Sequence, residues 1–151
     1  MLDVELPVQD LVLTVESLDG SIAEAEIDRD VRITLAADVL FAFDRATLTS
    51  RADPRLRQAR TRIEQERPAR VRVVGHSDAK GDPTYNLRLS RRRAAAVADA
   101  LRSRLGSSAP DLTVEGRGEA DPVAPNTKPD GSDDPRGRAL NRRVTVTFVR
   151  G

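Results

Sequence analysis

The chain has 151 residues, of which 38% are apolar and 32% are charged, a composition typical of one globular domain with a charged surface. A net charge of +1, with three phenylalanines, one tyrosine and no tryptophan, argues against a nucleic-acid-binding protein, which needs a basic field or a stacking platform. Cysteine is absent, which excludes disulfides, thiolate catalysis and cysteine-ligated metals. No apolar run approaches the length of a membrane-spanning helix.

The first part of the chain has the alternating apolar pattern of β-strands. Apolar residues alternate along 11–15 and 31–35, and a second short strand is predicted over 22–27. We divide the chain into an N-terminal β extension, residues 1–30, and a domain that spans residues 31–151. The extension is expected to add strands to the edge of the domain, because an apolar strand left in water promotes aggregation.

Two later segments have apolar residues every three or four positions, the spacing of an amphipathic helix. The first helix is expected within residues 45–66, with Ser50 or Asp53 as its N-cap. Its apolar positions are Leu48, Ala52, Leu56, Ala59 and Ile63. The second helix is expected within residues 84–105 and should end at Gly106. Its apolar positions are Leu87, Ala94, Val97, Ala98, Leu101 and Leu105.

Three further apolar runs predict strands over 71–74, 112–115 and 144–148. Residues 117–137 are rich in Gly, Pro, Asp and Ser and are predicted to form a long loop. From residue 31 onwards the order is therefore β-α-β-α-β-β. This order predicts an α/β (α+β) sandwich, in which a mixed sheet carries its helices on one face.

The segment Gly75-His76-Ser77-Asp78 contains residue types that occur in hydrolases and metal sites. A catalytic triad is not expected, because neighbouring strand residues point to opposite faces while the imidazole of a triad must contact both partners. A metal site is not expected either, because His76 is the only histidine and no carboxylate cluster accompanies it. We therefore predict no catalytic residue, no metal and no cofactor. The ring of His76 is expected to be hydrogen-bonded within the fold.

Two other segments are uninformative when taken alone. The run Arg91-Arg92-Arg93 could contact phosphates, but arginines at consecutive helical positions point in different directions and are expected to be solvated. The segment Gly116-Arg117-Gly118-Glu119 predicts a turn rather than a dinucleotide site, because no helical pattern follows it. No nucleic-acid partner is predicted.

Taken in order, several short motifs are far more specific than any one of them. They are Leu-Phe-Ala-Phe-Asp (40–44), Gly-His-Ser-Asp-Ala-Lys-Gly (75–81), Tyr-Asn-x-x-Leu-Ser-x-x-Arg-Ala (85–94), Gly-x-Gly-Glu (116–119) and Asn-Arg-Arg-Val (141–144). This set resembles the OmpA-like peptidoglycan-binding domain of outer-membrane protein A, the peptidoglycan-associated lipoprotein and flagellar stator proteins. The resemblance runs from about residue 31 to residue 150.

The resemblance implies a domain that binds peptidoglycan non-covalently, through the diaminopimelate residue of the stem peptide, and that catalyses no reaction. The family's Asp and Arg, which hold the ammonium and carboxylate ends of that residue, correspond to Asp78 and Arg93. The supporting residues that it implies are Ser77, Asn86, Leu87 and Arg142. A zwitterionic end suits an anion and a cation set a few ångströms apart, and the planar guanidinium fork of Arg suits a carboxylate.

The resemblance also implies a location in the extracytoplasmic cell envelope, either the periplasm or the cell wall. There the domain would be part of a larger protein that is membrane- or lipid-anchored. The oligomeric state and the amidation of the preferred diaminopimelate are left open. Ser77 stands where the family more often has Thr, and residues 127–137 form a longer loop than is typical. Neither that loop nor residues 1–30 receive a role from the resemblance.

Three alternatives remain to be tested. Asp78 and Arg93 could pair with each other and merely fix the loop between them. The domain could be a protein-interaction module that kept the fold and lost wall binding, although the intact pair argues against this. An enzyme such as an amidase is disfavoured, because the sequence offers neither a second histidine nor a carboxylate cluster.

Overall fold

The computed structural model describes residues 11–16, 21–27 and 29–151. In that part of the chain the strands are β1 (Leu11–Glu16), β2 (Ile22–Ile27), β3 (Asp30–Ala36), β4 (Arg70–His76), β5 (Asp111–Gly116) and β6 (Arg143–Val149). The helices are α1 (Ala37–Leu40), α2 (Ala52–Glu66), α3 (Pro83–Leu105) and α4 (Pro135–Asn141).

The strands form one six-stranded mixed sheet in the order β1-β2-β3-β6-β4-β5. β4 and β5 pair in parallel, because α3 carries the chain back across the sheet between them, and the other neighbours pair antiparallel. The sequence predicted a mixed sheet with the order β-α-β-α-β-β from residue 31. That prediction is confirmed, with the short helices α1 and α4 added to it.

Helices α2 and α3 share one apolar core with one face of the sheet, as predicted. Leu56 of α2 and Leu101 of α3 are at most 1% exposed. They belong to the same buried cluster as the strand residues Val31, Ile33, Leu35, Val71, Val73, Val144 and Val146. Each fully buried Leu, Ile or Val side chain contributes roughly 1.5–3 kcal/mol through removal of apolar surface from water.

The predicted ends of the long helices are only partly right. α3 begins after Asp82, whose carboxylate accepts a hydrogen bond from the Tyr85 N–H at 2.9 Å, and it ends at Gly106, where φ is +59°. Leu87 does not lie on the buried stripe, because it is 48% exposed, and Leu89 two positions later is buried instead. For α2, neither Ser50 nor Asp53 is the N-cap; Arg51 occupies that position without a side-chain cap.

The N-terminal strands extend the sheet beyond β3. β2 pairs antiparallel with β3 from Ile22 to Ile27, and β1 pairs antiparallel with β2. Strands at this edge were predicted, and those two are confirmed. Residues 1–10, 17–20 and 28 of the N-terminal segment lie outside the described residues. The division of the chain at residue 30 stays a prediction.

The segment predicted as a loop over 117–137 is wrong at its C-terminal end, where α4 begins at Pro135. The carboxylate of Asp134 caps α4 by accepting a hydrogen bond from the Gly137 N–H at 3.0 Å. Earlier in the segment, the side-chain oxygen of the fully buried Asn141 accepts hydrogen bonds from the Val123 and Ala124 N–H groups at 2.8 and 3.1 Å. The segment is therefore fixed by polar contacts rather than by an apolar pattern.

Gly75→Ala is expected to lower the free energy of unfolding by about 3 kcal/mol, the upper part of the range for overpacking. A Cβ atom at Gly75 would lie 2.0 Å from the backbone carbonyl oxygen of Ser90, so β4 and α3 would have to move apart. Urea unfolding of the purified variant measures the loss. An unchanged unfolding midpoint would contradict this close packing of helix on strand.

Candidate ligand-binding site

One end of the sheet brings together segments that are far apart in the sequence. Arg143 at the start of β6 lies opposite His76 at the end of β4 and opposite Ala36 at the end of β3. Antiparallel pairing therefore places the loop after β4 beside α1 and beside the junction of α4 and β6. We call this end of the sheet the rim.

Arg142 bridges two carboxylates at the rim. Its Nε and Nη2 atoms donate hydrogen bonds to the two oxygens of Asp38, both at 2.9 Å, and its Nη1 donates to Oδ2 of Asp78 at 2.6 Å. The hydrogen bonds from Asp38 and Asp78 hold the pKa of Arg142 above its usual value. Through these three hydrogen bonds, the planar guanidinium of Arg142 joins α1, the loop after β4 and the start of β6.

A second arginine ties Asp78 to α4. Nη1 of Arg138 lies 3.4 Å from Oδ2 of Asp78, while its Nε and Nη2 donate to Asp133 at 2.6 and 2.7 Å. Oδ1 of Asp78 accepts one hydrogen bond, from the Lys80 N–H at 3.0 Å. Asp78 is 8% exposed, so a buried carboxylate faces the rim with both its oxygens oriented by donors.

Arg93 reaches the rim from the third turn of α3. Its Nε donates to the Arg45 carbonyl at 2.8 Å, Nη2 lies 3.5 Å from the Ala42 carbonyl, and the guanidinium carbon lies 5.1 Å from the centroid of the Phe41 ring. Its Nη1 has no hydrogen-bond partner within the described part of the chain. Burial lowers the pKa of Arg93, an effect that the nearby Asp38 opposes.

Asp78 and Arg93 do not pair with each other, which contradicts the alternative that they only fix the intervening loop. Asp78 bonds to Arg142 and Arg138, whereas Arg93 bonds to main-chain carbonyl groups. The two residues still share the rim, because Arg93 experiences the charges of both Asp38 and Arg142. Asp78 and Arg93 thus keep separate structural partners on either side of the Asp38–Arg142 ion pair.

Two of the three remaining predicted residues shape the loop after β4. Nδ2 of Asn86, itself buried, donates to the Lys80 carbonyl at 2.9 Å, and Oγ of Ser77 donates to the Asp78 carbonyl at 2.8 Å. Leu87 presents a half-exposed side chain on the outer face of α3. Asn86 and Ser77 therefore position the backbone around Asp78, while Leu87 lies outside this hydrogen-bond network.

Sequence patterns alone missed several rim residues. Asp38 and Arg138 belong to segments whose apolar pattern gave no sign of a charge network. The carboxylate of Asp44, at a φ of +61°, accepts a hydrogen bond from the Tyr85 hydroxyl, which raises the pKa of Tyr85. The side-chain oxygen of Asn126 accepts from the Ala79 N–H at 3.1 Å and links the loop before α4 to the rim. A positive φ is itself a signal of function, but it is visible only in the structure.

His76 points away from the rim, into a cavity on the face of the sheet opposite α2 and α3. Its Nδ1 atom is buried without a hydrogen-bond partner among the described residues, so the expectation of a fully hydrogen-bonded ring is wrong for that atom. Oγ of Ser77 donates to the Asp78 carbonyl rather than to an imidazole, as expected for a segment without a triad. In the described residues no group of three or more His, Cys, Asp or Glu could hold a metal ion.

Among the described residues, no helix combines the length and the apolar composition needed to cross a membrane. A family model described as the OmpA family matches residues 40–136. This match includes Asp78 and Arg93 and covers most of the chain. The chain belongs to the OmpA family. The resemblance stated from the motifs is thereby confirmed.

The relatives of this OmpA-family chain include proteins much longer than the chain itself. It is 40% identical over 98 residues to outer membrane protein A of Serratia marcescens. The aligned region covers 64% of this chain and 27% of that protein. It is 38% identical over 137 residues to the photosystem I P700 chlorophyll a apoprotein A2 of Gloeobacter violaceus. The aligned region covers 89% of this chain and 16% of that protein. The chain therefore spans well under a third of these two curated relatives.

A solved structure shows the same fold over nearly the whole domain. The cell wall anchor of the T6SS from Pseudomonas aeruginosa is 32% identical, with a TM-score of 0.74 over 87% of this chain and 89% of that chain. Two of the three proteins compared are named as an outer membrane protein and a cell wall anchor. The OmpA-family domain described here accordingly belongs to the extracytoplasmic cell envelope.

His76 is expected to make the fold less stable as the pH falls from about 6.5 to about 4. Burial, and then the charge of Arg143, lower the pKa of His76 from 6.5 to about 4. Between those values the unfolded chain binds a proton that the folded chain excludes, so acidification favours unfolding. At about 1.4 kcal/mol per pKa unit, the loss approaches roughly 3 kcal/mol.

An NMR titration of the only imidazole in the chain measures this pKa directly. Chemical unfolding at several pH values should show the matching decline, and a His76→Gln variant should show a smaller one. A titration midpoint near 6.5 in the folded protein would contradict the buried, neutral imidazole.

Proposed function

We propose that this OmpA-family domain binds peptidoglycan non-covalently through the diaminopimelate residue of the stem peptide, with Asp78 and Arg93 as its principal contacts. The observation that carries the proposal is the charge arrangement of the rim. A buried carboxylate and a buried guanidinium lie on either side of one ion pair, in a family whose relatives include a cell wall anchor. The domain would anchor a larger envelope protein to the wall.

The chemistry of the ligand fits what the rim offers. The side-chain end of diaminopimelate carries an ammonium and a carboxylate on one carbon, so it needs an anion and a cation close together. Within the described part of the chain, Oδ1 of Asp78 accepts only the Lys80 N–H, so it has a lone pair left for an ammonium group. Nη1 of Arg93 has no partner among the described residues and can donate to a carboxylate. The adjacent Arg142 would strengthen the hold on that carboxylate.

The rim is built before any ligand arrives. The three side-chain nitrogens of Arg142 are engaged with Asp38 and Asp78, and Asn86 fixes the loop that carries Asp78. A site that is already ordered loses less conformational entropy on binding, so more of each contact remains as affinity. This fixed geometry favours a binding site for one small, rigid group rather than an adaptable protein interface.

We infer that the domain acts as a binding module and not as an enzyme. The hydroxyl of Ser77 is bonded to a main-chain carbonyl, and His76 lines a cavity on the other face of the sheet, so Ser77 has no imidazole base beside it. The natural protein would carry its own membrane or lipid anchor and would use this domain as its contact with the wall.

Asp78→Asn and Arg93→Ala should each weaken binding to diaminopimelate-type peptidoglycan by roughly ten- to a hundred-fold. Each change removes charge-assisted hydrogen bonds worth about 1.5–3 kcal/mol, and about 1.4 kcal/mol corresponds to one decade of affinity. Because both side chains hold the same ligand residue, the double variant should lose less than the sum of the two single losses. Co-sedimentation of the purified chain with insoluble peptidoglycan measures the affinity.

Matched controls separate binding from folding. Arg92→Ala and Asp99→Asn make the same charge changes at exposed positions of α3, and both should bind like the original chain. Far-ultraviolet circular dichroism and urea unfolding identify any variant that fails to fold. Undiminished binding by a folded Arg93→Ala protein would refute the assigned site and favour a protein-interaction module that has lost wall binding.

Peptidoglycan with lysine in place of diaminopimelate should bind poorly, because lysine lacks the side-chain carboxylate that Arg93 would hold. The same co-sedimentation assay, run with walls of the two stem-peptide types, measures the difference. Equal binding to both walls would refute diaminopimelate as the recognised group while leaving peptidoglycan binding itself intact.

A further inference from the structure

The face of the sheet opposite α2 and α3 carries a cavity of about 500 Å³ that the proposed wall-binding site does not use. The residues that form its floor are neighbours across β3, β6 and β4 and lie in rows. Thr147 of β6 lies between Arg32 and Arg72, and Thr145 lies between Thr34 and Val74. Arg143 pairs with His76 in the row nearest the rim. We call this surface the polar face.

The polar face has more positive charge than its own carboxylates neutralise. Arg72 and Arg117 both pair with Glu115, at 2.8 and 2.7 Å, and Arg117 also pairs with Asp121. Arg32 and Arg143 have no carboxylate within ion-pair distance among the described residues. Four arginines therefore face two carboxylates, and neither Arg32 nor Arg143 has an ion-paired carboxylate in the described part of the chain, although Asp121 acts on Arg143 at longer range.

Arg143 is the most informative of these cations, because it is only 6% exposed. Its Nη1 and Nη2 atoms lie 3.3 Å from the Asn141 carbonyl and 3.0 Å from the Asp121 carbonyl. Its Nε has no hydrogen-bond partner in the described part of the chain. Burial, and then the charge of Arg32, lower the pKa of Arg143 to about 10, and the charge of Asp121 opposes this effect only in part.

His76 adds a second unsatisfied group beside Arg143. Its Nδ1 is buried and without a partner among the described residues, although such atoms in folded proteins are nearly always hydrogen-bonded. Hydroxyl groups of Thr34, Thr145 and Thr147 line the same cavity. Two buried polar side chains with unused hydrogen-bonding atoms thus line one space, and each such unsatisfied group calls for a physical explanation, of which a bound group is one.

We propose that the polar face binds a small organic carboxylic acid, whose carboxylate lies between Arg143 and Arg32. Charge complementarity favours an anionic ligand, since neither arginine has a carboxylate within ion-pair distance in the described part of the chain. The apolar lip of the cavity indicates that the ligand is an organic molecule. Val123 and Leu140, which are 60% and 62% exposed, line this lip and can cover an apolar portion of the ligand. A volume of about 500 Å³ lies within the range of small-molecule pockets.

Titration with glutarate tests the proposal, because this dicarboxylate joins two carboxylates by a short apolar chain. The ¹H–¹³C signals of His76 report binding at the site directly, since the chain has no other histidine. Glutarate should shift these signals saturably and raise the pKa of His76, because the anion offsets the field of Arg143. Glutaramide, a neutral analogue of the same shape, should leave them unchanged.

Arg32→Gln is the critical variant, because Arg32 is exposed and its loss should not unfold the domain. Loss of one charge-assisted contact should weaken glutarate binding by about ten-fold. Arg57→Gln removes the same charge from an exposed position of α2 and should bind glutarate normally. Both variants should co-sediment with peptidoglycan like the original chain, so this test is independent of the wall-binding proposal.

Three results would overturn the proposal. The first is an absence of any saturable shift of His76 with glutarate. The second is inorganic phosphate binding as well as glutarate, which would mean that the site selects charge alone. The third is binding of an acetylated, amidated tetraglutamate peptide without binding of glutarate, which would assign the face to an acidic protein segment.

Discussion

The rim depends on one interaction, the bridge that Arg142 makes between Asp38 and Asp78. It joins residues 104 and 64 positions apart in the chain and so fixes three segments against one another. Asp78 is the buried partner, so loss of Arg142 would leave a desolvated carboxylate with one fewer compensating charge. Asp78 is therefore held in place by the fold, and a ligand need not order it.

Other side chains around this bridge also fix loops against the sheet, and two of them are neutral amides. Asn86 fixes the loop that carries Asp78, and Asn141 fixes the loop that leads into α4. Arg93 closes the opposite side by bonding to main-chain carbonyls of the loop after α1. Loops usually vary and move, whereas here buried amide and guanidinium groups satisfy their backbone and make them part of a rigid scaffold.

Much of this architecture could be predicted because it rests on short-range patterns. Apolar periodicity predicted α2, α3 and the strands. The family resemblance carried by the motifs around residues 75–94 assigned Asp78 and Arg93 to one site, which stays a prediction. Asp38 and Arg138 could not be predicted, because ion pairs between distant segments leave no local pattern. The apolar pattern placed Leu87 on the buried face of α3, whereas its side chain is half-exposed. An apolar residue one position beside the buried face cannot be told from a buried one by its residue type alone. The unsatisfied Nδ1 of His76 likewise depends on three-dimensional packing.

The central claim is that the rim around Asp78 and Arg93 recognises diaminopimelate. NMR chemical-shift mapping of the chain with the tripeptide L-Ala-γ-D-Glu-diaminopimelate tests it most directly, because it locates the ligand without any mutation. The largest shifts should fall on residues 38–45, 77–93 and 138–142, while the signals of His76 should change little. Shifts centred on the polar face, or the same map with the lysine-containing tripeptide, would contradict the account.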